Sequence, residues 1–126
     1  MSTLVVSNIN DGTTTVPATY VTNGSAKAWV NLNGTGTIAI RDSHNISSAT
    51  DNTTGDYTFN VSNSFADANY NGSGMGCGPT DPYRIVNFRG SVAPTSSAFR
   101  VATYNTSGGG LEDALIVGVT THGDLA

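Results

Sequence analysis

The side chains able to do chemistry are few and scattered along the 126 residues. His44 and His122 have no partner at metal-ligand spacing, so neither reads as a metal site. Cys77 stands in Gly74-Met75-Gly76-Cys77-Gly78-Pro79, with no Lys, Arg or His nearby in sequence to pull its thiol toward thiolate, and it reads as a small loop residue. Asp42, Asp51, Asp56, Asp67, Asp81, Glu112, Asp113 and Asp124 could supply a glycosidase carboxylate pair. Acids set mostly beside Gly, Asn and Ser are usually turn formers, however. Gly108-Gly109-Gly110 lacks the Lys-Ser/Thr pair and the helix that a phosphate loop needs, which makes it a flexible turn. The expectation is therefore a chain with no catalytic residue, no metal and no cofactor.

Recognition through hydrogen bonds is the chemistry that remains, because Asn, Ser and Thr fill most polar positions. The segment Asn71 to Pro82 combines Gly-rich freedom with the hydrogen-bonding groups of Asn71, Ser73, Thr80 and Asp81. It reads as an exposed loop or tip, with Thr106 to Asp113 as a second candidate. Trp29, Tyr57, Tyr70, Tyr83 and Tyr104 could stack on sugar rings, although Trp29, between apolar neighbours, reads as core or interface. Asn-X-Ser/Thr triplets at Asn23, Asn33, Asn45, Asn52, Asn60, Asn71 and Asn105 follow from this composition and need no glycosylation to explain them.

The net charge of −4 and five Lys and Arg in all weigh against nucleic acid as a ligand, since phosphate backbones demand a basic patch. No apolar run approaches the roughly 20 residues of a membrane span, and the start lacks the basic and apolar regions of a signal peptide. One cysteine excludes an internal disulfide, so packing and assembly must hold the fold.

The elements that position these residues read as all-β. Charged residues make up only 11%, Gly numbers 15, and turn signals recur along a Thr- and Val-rich chain. The pattern predicts strands near 27–33, 36–42, 56–62, 84–89, 98–105 and 114–121, and no helix. Asn33-Gly34 and Thr35-Gly36 supply one turn, with positive φ expected at the glycines, and Asp51 to Asp56 a second. Leu115-Ile116-Val117-Gly118-Val119 is a continuous apolar run that suits a strand buried on both faces. The expected architecture is an antiparallel β-sandwich, jelly-roll-like, over residues 27–126, behind a short extended N-terminal arm over residues 1–26. In that arm Leu4, Val5, Val6 and Ile9 have too little apolar company for a core of their own.

Six short words fall in a fixed order: Ala28-Trp29-Val30, Asn33 to Thr37, Ala39-Ile40-Arg41, Ser48 to Asn52, Gly55 to Thr58 and Asp67 to Tyr70. In these words the first half of the chain resembles the C-terminal domain of bacteriophage fibre proteins, many from phages of aquatic bacteria. The opening MSTLVVSNINDGTTTVP is similar to the start of such fibres. The resemblance implies a structural virion protein made in the bacterial host cytoplasm, a short tail fibre or a capsid-bound head fibre, assembling as a homotrimer. It implies attachment to tail or capsid proteins through Leu4, Val5, Val6 and Ile9, and display of loops to a host surface glycan or protein. A polysaccharide-degrading enzyme is the remaining alternative.

Overall fold

The computed structural model describes all 126 residues. Alternation sets the body of the fold. In β3 (Ala28–Asn33) the residues Ala28, Val30 and Leu32 point inward, while Trp29, Asn31 and Asn33 take the other face. The same period buries Tyr57, Phe59 and Val61 of β6 (Asp56–Val61), Phe99, Val101 and Thr103 of β9 (Ala98–Asn105), and Val117, Val119 and Thr121 of β11 (Ile116–His122). With β4 (Ala39–His44), β5 (Ile46–Thr53), β7 (Asn71–Cys77) and β8 (Arg84–Phe88), these strands run in the spatial order β4-β3-β11-β7-β8-β9-β6-β5. Every pair is antiparallel, and the short β10 (Gly110–Leu111) is added to β9. The two edge strands, β4 and β5, follow one another through Asn45 at φ 56°, so the sheet curls until it is nearly a barrel. The fold is thus all-β and sandwich-like, as expected.

Aromatic packing closes one end of the core. Phe65 and Tyr70 stack with ring centroids 4.0 Å apart, and Tyr70 meets Phe88 edge-on at 6.1 Å. The Tyr70 hydroxyl donates toward the carbonyls of Thr95 and Ala98, 3.0 and 3.1 Å away, which satisfies the one polar atom this ring brings inside. At the other end Tyr57 Oη reaches the Gly34 carbonyl at 2.9 Å and Asp113 Oδ1 at 3.0 Å. Gly34 is needed for space, since a Cβ there would stand 2.5 Å from that hydroxyl. The positive φ expected in this turn falls on Gly36 alone, at 62°.

Several elements depart from the sequence reading. Asn71 to Cys77 is a strand, β7, lodged between β11 and β8, rather than part of a loop. Its inward positions are Gly72, Gly74 and Gly76, where a Cβ would lie 2.4 Å from the Phe88 ring, 2.8 Å from Val86 and 2.8 Å from the Ile116 carbonyl. Glycine here lets β8 fold close over β7. A second unforeseen strand is β5, polar and largely exposed, whose two bulges against β6 break the alternation a reader would look for. Leu115 to Val119 is not buried on both faces: Val117 and Val119 point inward, and Ile116 remains 38% exposed. Trp29 is not a core residue either; it lies partly exposed on the outer face of β3.

Residues 1–24 bury no side chain against this body, and Asn23 meets it at the rim of a cleft. β1 (Asn8–Asn10) and β2 (Thr15–Pro17) form a separate hairpin, and α1 (Ala18–Gly24), where no helix was expected, follows with no buried residue. The hairpin turn is Asn10-Asp11-Gly12. Asp11 Oδ1 accepts from the backbone of Thr13 and Thr14 at 2.9 and 2.7 Å, and Gly12 takes φ 100°. No helix is long and apolar enough to cross a membrane.

Candidate functional site

The four residues read as attachment anchors are displayed to solvent. Leu4 and Val5 are 85% and 89% exposed, Val6 and Ile9 44% each. Val16, Tyr20 and Val21 add further exposed apolar surface to the same segment. Such a segment contributes nothing to the body's core and offers an edge and an apolar face to a neighbour.

The four residues read as recognition groups are not brought together. Asn71 and Ser73 project from β7, Asn71 opposite His122 and Ser73 opposite Thr120. Thr80 and Asp81 lie past the other end of that strand, roughly 20 Å from Asn71 at 3.3 Å per residue. Asp81 is moreover engaged internally: its Oδ1 accepts from Arg84 Nη1 at 2.8 Å and from the Tyr83 backbone at 3.0 Å. Arg84, whose side chain is wholly buried, also places Nη2 2.6 Å from Glu112 Oε1, an ion contact outside hydrogen-bond alignment. Gly78 makes room for that guanidinium, 2.8 Å from where its Cβ would be. The loops 78–83 and 106–113 are therefore tied to each other through one arginine, and the acids in them act as struts rather than as free ligand groups.

Other acids are likewise committed. Asp113 Oδ1 accepts from the Gly55 amide at 2.7 Å as well as facing Tyr57. Burial and the neighbouring Asp113 hold the Tyr57 phenol protonated well above the usual tyrosine range. Asp56, 1% exposed, receives Arg100 through both oxygens at 2.5 and 3.0 Å, with Arg89 Nε 3.1 Å away. Burial alone would raise its pKa, but the bond and charge of Arg100, with Arg89 behind it, bring it below the usual carboxylate range. No group of three or more His, Cys, Asp or Glu residues is placed to hold a metal ion.

Of the five concavities in the surface, the two largest lined by residues of the body are these. A polar cleft of about 350 Å³ near the arm is lined by Asn23, Asp67, Asn69, His122 and Asp124 over the Phe65–Tyr70 stack. A groove of about 400 Å³ runs along the outer face of β3, β11 and β7, between Trp29 and Met75, with Gly118 as its floor and Ser73 and Thr120 beside it. The sequence reading missed this groove by taking β7 for a loop. The signal was present, since Gly72, Gly74, Gly76 and Gly78 recur every second residue and so put Asn71, Ser73, Met75 and Cys77 on the opposite face. Neither a protein-family model, nor a curated protein, nor a solved structure matches the chain.

Proposed function

We propose that this chain is a structural virion appendage, a short tail fibre that attaches by its N-terminal segment and presents its β body to the host surface. The observation that carries the reading is residues 1–24, which bury no side chain and expose Leu4, Val5, Val6 and Ile9 beside a body whose core is complete without them. The resemblance of the six motif words to phage fibres supports it, and so do the internal contacts that Asp56, Asp81, Glu112 and Asp113 make. Assembly as a homotrimer is part of this reading, supported by the resemblance and by the two sheet edges, β4 and β5, each with one side unpaired.

The test is deletion of residues 1–24. The body is expected to fold with unchanged thermal stability and to be missing from purified particles. A truncated chain incorporated at normal copy number would overturn the attachment role. Labelling the intact chain in whole particles separates the tail-fibre reading from its alternative, because signal at the capsid would make it a head fibre or decoration protein.

A further inference from the structure

We propose, resting on the host-recognition reading above, that the groove between Trp29 and Met75 is a binding site for a neutral saccharide. Two rows of side chains cross the outer face here. Trp29 stands opposite Thr120, which stands opposite Ser73; in the adjacent row Asn31 stands opposite Gly118, and Gly118 opposite Met75. The middle of that second row has no side chain. The gap separates an indole from a thioether and opens about 400 Å³ above the sheet, at the lower end of the range of small-ligand sites.

Gly118 is the second observation that points to a ligand. The inward glycines of β7 are required by packing, whereas a Cβ on Gly118 would meet only Met75, at 3.4 Å from its carbonyl and 3.7 Å from Cγ, ordinary contact distances. Its φ is not in the left-handed region. A glycine inside a strand weakens it, and here neither backbone nor core demands one. What it does provide is depth beside the Trp29 ring.

The lining chemistry selects the ligand. A pyranose has an apolar C–H face and a hydroxyl edge; the first matches an aromatic ring face and a methionine, the second the Ser73 and Thr120 hydroxyls. No cation lines the groove. Arg41, which bonds Asn31 at the edge of this face, directs its guanidinium to Asn31, Asn33 and the carbonyls of Leu32 and Leu115, so the lining itself offers an anionic sugar no cation. A second copy of the chain is the competing occupant. The central part of a protein interface is depleted in charge and in serine, and this face carries Asp42, His44 and Ser73 around its apolar pair, so saccharide fits it better.

Trp29 is the sole tryptophan and reports directly on the groove. The full chain would be titrated with cellobiose, lactose, maltose and N,N′-diacetylchitobiose while its fluorescence is followed, with glucuronic acid as the anionic control. A saturable change is expected for at least one neutral disaccharide, with a dissociation constant on the order of 1 mM, and none for glucuronic acid. Gly118→Val fills the floor and is expected to weaken binding at least about tenfold while keeping the wild-type circular dichroism and melting temperature. Gly118→Ala serves as the milder variant if valine disturbs the fold. No saturable change with any of the four, or a Trp29 emission that shifts with protein concentration in step with the mass from light scattering, would overturn the site, the latter by showing the face buried between copies. Particle incorporation is scored separately: a failed titration with normal incorporation removes the groove and leaves the appendage reading, whereas absence from particles removes the appendage reading whatever the titration shows.

Discussion

Asp56 concentrates the residue-scale electrostatics of this protein. Its carboxylate is desolvated yet held below the usual pKa by Arg100 and Arg89, and Asn52 Nδ2 adds a contact at 3.3 Å. Because its folded pKa is lowered, the stabilisation is fully present above the unfolded value of about 3.9 and is lost as pH falls through the folded value. Asp56→Asn is expected to cost about 2 to 3 kcal/mol at neutral pH, less than for a fully buried pair, because Arg100 and Arg89 are 27% and 36% exposed and can recover water. Melting curves of the two proteins between neutral pH and pH about 2 check it: the gap should narrow in acid. Tyr70 behaves in the opposite direction. Burial raises its phenol to about 12, so its contribution is complete below the unfolded value of about 10 and disappears as pH rises toward the folded one. At the other end of the core, Tyr57→Phe removes the hydroxyl shared by Gly34 and Asp113 and should cost about 1 to 2 kcal/mol, read from the urea midpoint.

At the scale of elements, two neighbouring strands use glycine for opposite reasons, and substitution separates them. Gly74 in β7 faces Val86, so Gly74→Ala should destabilise by about 1 to 3 kcal/mol through overpacking. Gly118 in β11 faces open space and Met75, so Gly118→Ala should change stability by no more than about 0.5 kcal/mol, with a gain as the favoured sign. Chemical denaturation of both variants is the check, and equal losses would contradict the assignment of inner and outer faces. The same pair shows how far the sequence could be read. β3, β6, β8 and β9 are legible because apolar residues occupy every second position. In β7 the inward set is glycine, which carries no hydrophobic signal and imitates a loop. In β5 the bulges shift the period, and as an edge strand it keeps few apolar residues to mark it.

On the scale of the whole molecule, the accessible surface is 7295 Å², against about 6,300 Å² expected of a compact 12.9 kDa monomer. An undocked arm accounts for surplus of this sign, and the body gives up little by losing it. Residues 25–126 alone should melt within about 3 °C of the full chain, since the deleted side chains cover no core. The intact chain is expected to scatter light as a trimer at micromolar concentration, and a monomer mass would remove the assembly reading.

The sequence by itself determined the all-β class and the position of most core strands. These depend on local period and turn residues, which act over a few residues. Only the tertiary structure decided the inward face where apolar alternation does not mark it. Arg84 is buried and Trp29 is not, because Asp81 and Glu112 converge on the arginine from separate loops while the inner side of β3 is already filled by Ala28, Val30 and Leu32. It also dispersed the predicted recognition residues along β7 and past its end, and it assembled the Trp29 groove from β3, β7 and β11. That groove depends on cross-strand register between residues more than forty positions apart, a long-range relation that no local pattern encodes.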